Sequence, residues 1–321
     1  MKKLIDVFIS LIEVFYLPIL FLSGLTMWLY RRTGSKRLKL STRVLKRIGI
    51  FPIRDHYYEP LFTDKHLTQD LRKPRELPGI DFDEPRQLEF LKNLCYQTEF
   101  THFIDSNQHK SELSTFKIDN GNFESGDAEF LFNIIRYIKP NKIVEVGCGD
   151  STKIIQHALI LNEKEEGVTG SHICIEPYEQ PWLEKFPNIK LVRDKVENLD
   201  ISLFKELNEG DLLFIDSSHI VRPQGDVLHE YLSIIPSLQK GVYVHVHDIF
   251  SPRDYLDEWV KENVFFWNEQ YVLEALLSGN KNIEIVAALN LLKHKYYDEL
   301  KTICPYLMLE REPGSFYLRT K

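Results

Sequence analysis

The stretch Lys142-Ile-Val-Glu-Val-Gly-Cys-Gly-Asp-Ser-Thr-Lys153 constrains this chain more than any other. Lys142 to Val146 reads as a buried parallel strand, and Gly147 and Gly149 open a tight turn into a helical run, Thr152 to Leu161. Glycine lets the backbone approach a ligand closely, and a helix N-terminus presents unpaired N–H donors at the same place. That is the outline of a nucleotide-cofactor site, although an ordinary strand-to-helix turn shares it. The dinucleotide fingerprint G-x-G-x-x-G requires glycine at position 152, where Thr152 stands, and Glu145 has no part in that fingerprint.

The pattern becomes regular from Asp127 onward. A helix over Ala128–Ile138 precedes the first strand, and apolar runs recur at His172–Ile175, Ile189–Val192, Asp211–Ile215, Gly241–Val246, Ile283–Val286 and Ser315–Leu318. Helical stretches, notably Leu203–Leu207 and Val227–Leu238, separate most of them, and the polar run 162–170 reads as an inserted loop. Such alternation predicts an α/β fold: a doubly wound, mostly parallel sheet with ligands at the carboxyl ends of its strands. The last run suits an antiparallel edge strand. Upstream, Leu88, Leu91, Leu94 and Cys95 have helical spacing within Gln87–Phe100.

Strand ends carry the candidate chemistry. Glu176 ends the second strand, where an acid accepts hydrogen bonds from ribose hydroxyls or merely caps a turn. Asp194 follows the third strand and is a candidate adenine contact or a surface charge. Asp216-Ser-Ser-His219 ends the fourth strand, and His247-Asp248 the fifth. In a parallel sheet these two ends are neighbours, so the four side chains converge on binding a divalent cation or supplying a general base to a hydroxyl. Beyond them, Trp267, Asn268, Glu269 and Tyr271 are placed to cover an acceptor, with Asn122–Asp127 on the other side.

Glu145-Val-Gly-Cys-Gly-Asp-Ser151 resembles motif I of class I S-adenosylmethionine-dependent methyltransferases, E-x-G-x-G-x-G, with Ser151 at the third glycine. Asp216, and Asp248 after the fifth strand, are similar to the acids of metal-dependent O-methyltransferases of the catechol and macrocin types. His247 stands where those enzymes carry an acid or amide. Over Lys142–Leu318 the chain resembles a bacterial methyltransferase similar to the macrocin and cephalosporin-biosynthesis enzymes. The resemblance implies S-adenosylmethionine bound through Glu145, Gly147, Gly149, Ser151, Glu176 and Asp194. It also implies catalysis by Asp216, His219 and His247, and a divalent cation (Mg or a transition metal) on Asp216, His247 and Asp248. The reaction implied is O-methylation of a small-molecule, glycan or lipid-linked acceptor. The alternatives are a nicotinamide-dependent oxidoreductase on the same fold and a non-catalytic membrane scaffold.

Charge is unevenly spread. A formal net charge of -7, with no basic stripe in the catalytic region, gives no reason to expect nucleic acid. No charge lies between Val14 and Tyr30, and eight bases follow from Arg31 to Arg47. An apolar window of this length beside a basic cluster suits attachment to the cytoplasmic face of a membrane, spanning or interfacial. A helix docked on the domain, or an oligomer contact, is the competing reading. Residues 1–50 are therefore expected to attach the chain to a membrane and 51–115 to form an aromatic, Pro-rich and helical extension. The methyltransferase domain is expected over 116–321. Arg54-Asp-His-Tyr-Tyr-Glu-Pro-Leu61 is similar to segments preceding such domains. The scattered cysteines, Cys95, Cys148, Cys174 and Cys304, read as reduced thiols.

Overall fold

The computed structural model describes residues 2–34, 37–53, 58, 60–107 and 115–321; Arg54, Asp55, His56, Tyr57 and Glu59 of the aromatic segment lie outside them. The chain divides into two compact units, Met1–Asp70 and Leu71–Lys321.

The first unit contains helix α1 (Lys2–Thr33) and helix α2 (Lys39–Ile48). Within α1, the 22 residues Ile12–Thr33 have a mean hydropathy of 1.7, and most of their apolar side chains, Tyr30 excepted, are exposed. At about 1.5 Å per residue they extend roughly 33 Å, comparable to the hydrocarbon thickness of a bilayer. The Tyr30 hydroxyl meets Thr42 Oγ1 at 2.6 Å, tying the end of α1 to α2. Gly49, in the left-handed region at φ 77°, ends α2.

The second unit is built on one seven-stranded sheet. Its strands are β1 (Lys142–Val146), β2 (Ser171–Ile175), β3 (Lys190–Val192), β4 (Leu212–Ile215), β5 (Tyr243–Val246), β6 (Ile283–Ala288) and β7 (Phe316–Thr320). Their order is β3-β2-β1-β4-β5-β7-β6, parallel from β3 to β5, with β7 antiparallel to both its neighbours. Strand order reverses between β1 and β4, which opens the crevice where such sheets bind ligands.

Three expectations are corrected. The helical spacing over 87–100 becomes two helices, α3 (Glu84–Leu91) and α4 (Gln97–Asn107). The break is pinned where Tyr96 N donates to Asn133 Oδ1 at 2.8 Å. The run 162–170 is mostly helix, because α6 (Asp150–Glu166) continues to Gly167. Its polar tail is held by α5 (Asp127–Ile138): Asn162 Nδ2 donates to Ile135 O at 3.1 Å, and Arg136, buried, pairs with Glu165. Finally, β7 is antiparallel but internal, and β6 forms the edge. Phe316, Tyr317 and Leu318 are all buried, as a strand flanked on both sides requires.

Candidate functional site

At the end of β1 the chain turns through Gly147, at φ 76°. A Cβ at this position would collide with the carbonyl oxygen of Asp216, so the turn presses against the end of β4. Gly149, by contrast, has open space where a Cβ would stand. It precedes α6, whose amino end faces a cavity of about 490 Å³. Gly147, Gly149, Ser151, Glu176 and Asp216 are on the wall of that cavity. So are Asp150, Glu197 and Arg222, which the sequence reading did not single out. Only adjacency to the turn could have marked Asp150, and nothing in the sequence marks the other two.

Glu145 lies behind this wall, fully buried. Its carboxylate accepts the Ser151 and Thr152 hydroxyls at 2.7 and 2.8 Å and pairs with His172 Nε2 at 2.9 Å. Burial opposes charge on His172, but Cys174 and Glu145 raise its pKa to about 10. Glu145 therefore shapes the turn from beneath, whereas the sequence reading placed it at the cofactor. Threonine at 152 is explained by the same bond. Glu176 holds the opposite wall: its Oε1 accepts the main-chain N–H of Tyr178 and Glu179 at 2.9 Å each, and its Oε2 that of Cys148 at 3.4 Å. Asp194 is off the wall and exposed, bonded to Lys195 N and Asn198 Nδ2 at 2.7 and 2.8 Å.

The ends of β4 and β5 bring the other candidates together. His219 Nε2 lies 3.3 Å from Asp216 Oδ1 and 3.4 Å from Asp248 Oδ2. His247 Nδ1 lies 3.6 Å from Asp216 Oδ1 and 3.5 Å from Asp248 Oδ1. Both His219 and Asp248 take left-handed backbone at φ 59°. Each such residue costs on the order of 1–3 kcal/mol, strain of a kind that clusters at functional sites. Burial alone would raise Asp216, yet His247 and His219 hold its carboxyl far below the usual range. The same carboxylates overcome burial to raise His247 to about 10 and His219 well above its ordinary value. Burial is the dominant influence on Asp248 and pushes its pKa up.

His219 is braced from a distant segment. Its Nδ1 meets Glu269 Oε2 at 2.7 Å, its carbonyl accepts Asn268 N and Glu269 N, and Trp267 packs on its ring at 4.3 Å. Glu269 is fully buried and also accepts the Tyr231 hydroxyl at 2.9 Å. The sequence reading had these residues contacting the acceptor; Glu269 and Asn268 instead hold the histidine, and Tyr271 bonds Asp254. A second cavity, again about 490 Å³, opens beside His247 and Asp248, lined also by Asp127, Phe250 and Trp259. Asn122 lines both cavities.

Ligating atoms of Asp216, His219 and Asp248 all lie within 4.8 Å of one another. Two carboxylates and an imidazole, with the other imidazole nitrogen on a buried carboxylate, fit a divalent cation. His247, assigned to the metal by sequence, is outside that three-residue group and stands against the same two carboxylates.

Residues 144–249 match a family model described as a methyltransferase domain. An uncharacterized protein of Archaeoglobus fulgidus is 29% identical over 171 residues, which cover 50% of this chain and 75% of that protein. Among solved structures, an O-methyltransferase from Bacillus cereus in complex with SAH aligns over 70% of this chain and 91% of its own at 11% identity and a TM-score of 0.37. A SAM-dependent methyltransferase from Archaeoglobus fulgidus aligns over 60% and 94% at 16% identity and a TM-score of 0.29. The family match runs from within β1 to just past β5 and supports a methyltransferase. The nicotinamide reading and the scaffold reading gain no support.

Proposed function

We propose that the enzyme methylates a hydroxyl on a small-molecule, glycan or lipid-linked acceptor, which enters the second cavity while S-adenosylmethionine occupies the first. The convergence of Asp216, His219, His247 and Asp248 where the two cavities approach carries this reading. In the reaction the acceptor oxygen attacks the methyl carbon, the carbon–sulfur bond breaks, and S-adenosylhomocysteine leaves. The hydroxyl proton passes to Asp248, whose carboxylate burial makes more basic; His247 and His219, held protonated by the carboxylates, offset the charge. Holding the two reactants in line supplies most of the acceleration expected of such a site. Asp216, His219 and Asp248 would hold a divalent cation, and such an ion supplies acidity to a bound hydroxyl. Transfer of labelled methyl from S-adenosylmethionine into cell extracts, with and without chelation and Mg restoration, tests the reading. An O-methyl product and chelator sensitivity are expected. An N- or C-methyl product would overturn O-methylation, and indifference to chelators would remove the cation.

The same proposal places the domain at the cytoplasmic face of a membrane. Its support is α1, apolar over Ile12–Thr33, followed by a basic cluster from Arg31 to Arg47. Apolar burial anchors, and each base near anionic lipid adds about 1 kcal/mol. Full-length protein is expected in the membrane fraction, and protein truncated at Ile50 in the soluble one. Full-length protein that stays soluble at low salt would end this part of the reading.

A further inference from the structure

Two cysteines flank the cofactor wall with no part in the chemistry above. Cys148 lies in the glycine turn and lines the first cavity; Cys174 lies on β2, wholly buried, with Glu145 as its neighbour across the strands. Their sulfur atoms and a Glu145 carboxylate oxygen all lie within 4.8 Å of one another. Such a trio suggests a soft metal. The Glu145 carboxylate, however, already accepts two hydroxyls and pairs with His172, which leaves the two thiols as a pair. Cys174 Sγ is also 3.4 Å from His172 Nε2, while Cys148 Sγ lies 3.8 Å from each of the carbonyls of Glu145 and Ile175.

We propose that Cys148 and Cys174 form a reversible disulfide, made by a hydroperoxide that enters the empty cofactor cavity, and that this bond shuts off S-adenosylmethionine binding. The inference rests on the cofactor reading of that cavity. Burial raises the Cys148 thiol well above its usual range, whereas contact with Cys148 and the nearby imidazole of His172 hold Cys174 below it, so Cys174 is the thiolate of the pair and the ready nucleophile for the closing step. The peroxide meets the Cys148 thiol at the cavity wall: the sulfur takes one oxygen as the O–O bond breaks, the thiol proton leaves on the departing alcohol or water, and Cys148 becomes a sulfenic acid. Cys174 then displaces the sulfenic oxygen as water. Two electrons have passed from the two sulfurs to the peroxide.

A sulfur–sulfur bond is about 2.05 Å long, so the turn must draw toward β2. Gly147 is pinned beneath the Asp216 carbonyl, whereas Gly149 has open space around it, so the movement falls on residues 148 and 149. These residues line the cavity, and Cys148 N is the group that meets Glu176 Oε2. Oxidation therefore displaces the turn and the second-strand acid together.

The test uses the full-length protein. Free thiols are counted, linked peptides mapped, and S-adenosylhomocysteine binding measured by calorimetry before and after hydrogen peroxide and again after dithiothreitol. Thiols should fall from four to two, the new link should join Cys148 to Cys174, and affinity should drop at least tenfold and return on reduction. Prior saturation with S-adenosylhomocysteine should slow the reaction, and Cys174→Ser should bind the ligand equally with and without peroxide. Four surviving thiols, a link through Cys95 or Cys304, or unchanged affinity of the linked protein would overturn the proposal. Reduced protein that ignores S-adenosylhomocysteine would instead strike at the cofactor reading itself.

Discussion

The two sides of the crevice are built differently. The side proposed for the cofactor is made of backbone: Gly147 packed under the Asp216 carbonyl, the amino end of α6, and one buried acid, Glu145, fastening the turn through Ser151 and Thr152. The other side is made of side chains gathered from far apart. Asp216 and His219 come from the end of β4, His247 and Asp248 from the end of β5, and Glu269 from some twenty residues further on. A site made of backbone tolerates little change of shape. A site made of charges tolerates little change of partner.

The largest effect expected is on the backbone side. Gly147→Ala forces a Cβ into a main-chain carbonyl at positive φ; strain of that kind costs about 1–3 kcal/mol before any clash. S-adenosylhomocysteine affinity should fall by more than about 100-fold, with a lowered melting temperature. Binding within threefold of wild type would show that the turn is not the cofactor cradle. Next comes Asp248→Asn, on the charged side. Methyl transfer should drop by about 100-fold or more, while S-adenosylhomocysteine affinity stays within a few-fold, because Asp248 is not on the first cavity's wall. Equal losses in both measurements would erase the division between the sides.

Glu269→Gln sharpens the comparison, since it changes how His219 and the Tyr231 hydroxyl are held without altering the wall of either cavity. A fall of about 10–100-fold in transfer, or in metal affinity where a cation binds, is expected with cofactor affinity intact.

How much of this was readable follows the same division. The β1 turn, Glu176 and the strand-end quartet are each announced by residues adjacent in sequence, because a strand followed by glycine or by a cluster of acids and histidines is a local pattern. Asp194 was misplaced for want of distance: position after a strand is local, but which carboxylate reaches the cavity wall depends on the turn at Val196–Asn198. Likewise Glu145 is adjacent to the glycines yet points into the sheet, as alternation along a strand dictates. The bracing of His219 by Glu269 joins residues 50 apart and left no local signal. Internal β7 was legible in part, since three successive buried apolar residues do not suit an edge.

The smallest effect lies away from both sides, at the start of α5. Glu129 reaches back to Gly126 N at 2.7 Å and also accepts Tyr306 N at 2.6 Å. Burial, outweighing those bonds, raises its pKa from 4.5 to about 7. A carboxyl whose pKa is raised on folding contributes stability below pH 4.5 and loses it as pH rises through about 7. The melting temperature of wild type should therefore fall by a few degrees across that window, and Glu129→Gln should flatten the fall. An unchanged slope in the variant would assign the dependence to other groups.

The account stands on the first cavity being an S-adenosylmethionine site. Calorimetric titration of reduced, full-length protein with S-adenosylhomocysteine and, separately, with NAD tests this most directly. Saturable binding of S-adenosylhomocysteine at one site per chain, with no heat from NAD, is the predicted result. Tight NAD binding with no response to S-adenosylhomocysteine would contradict it.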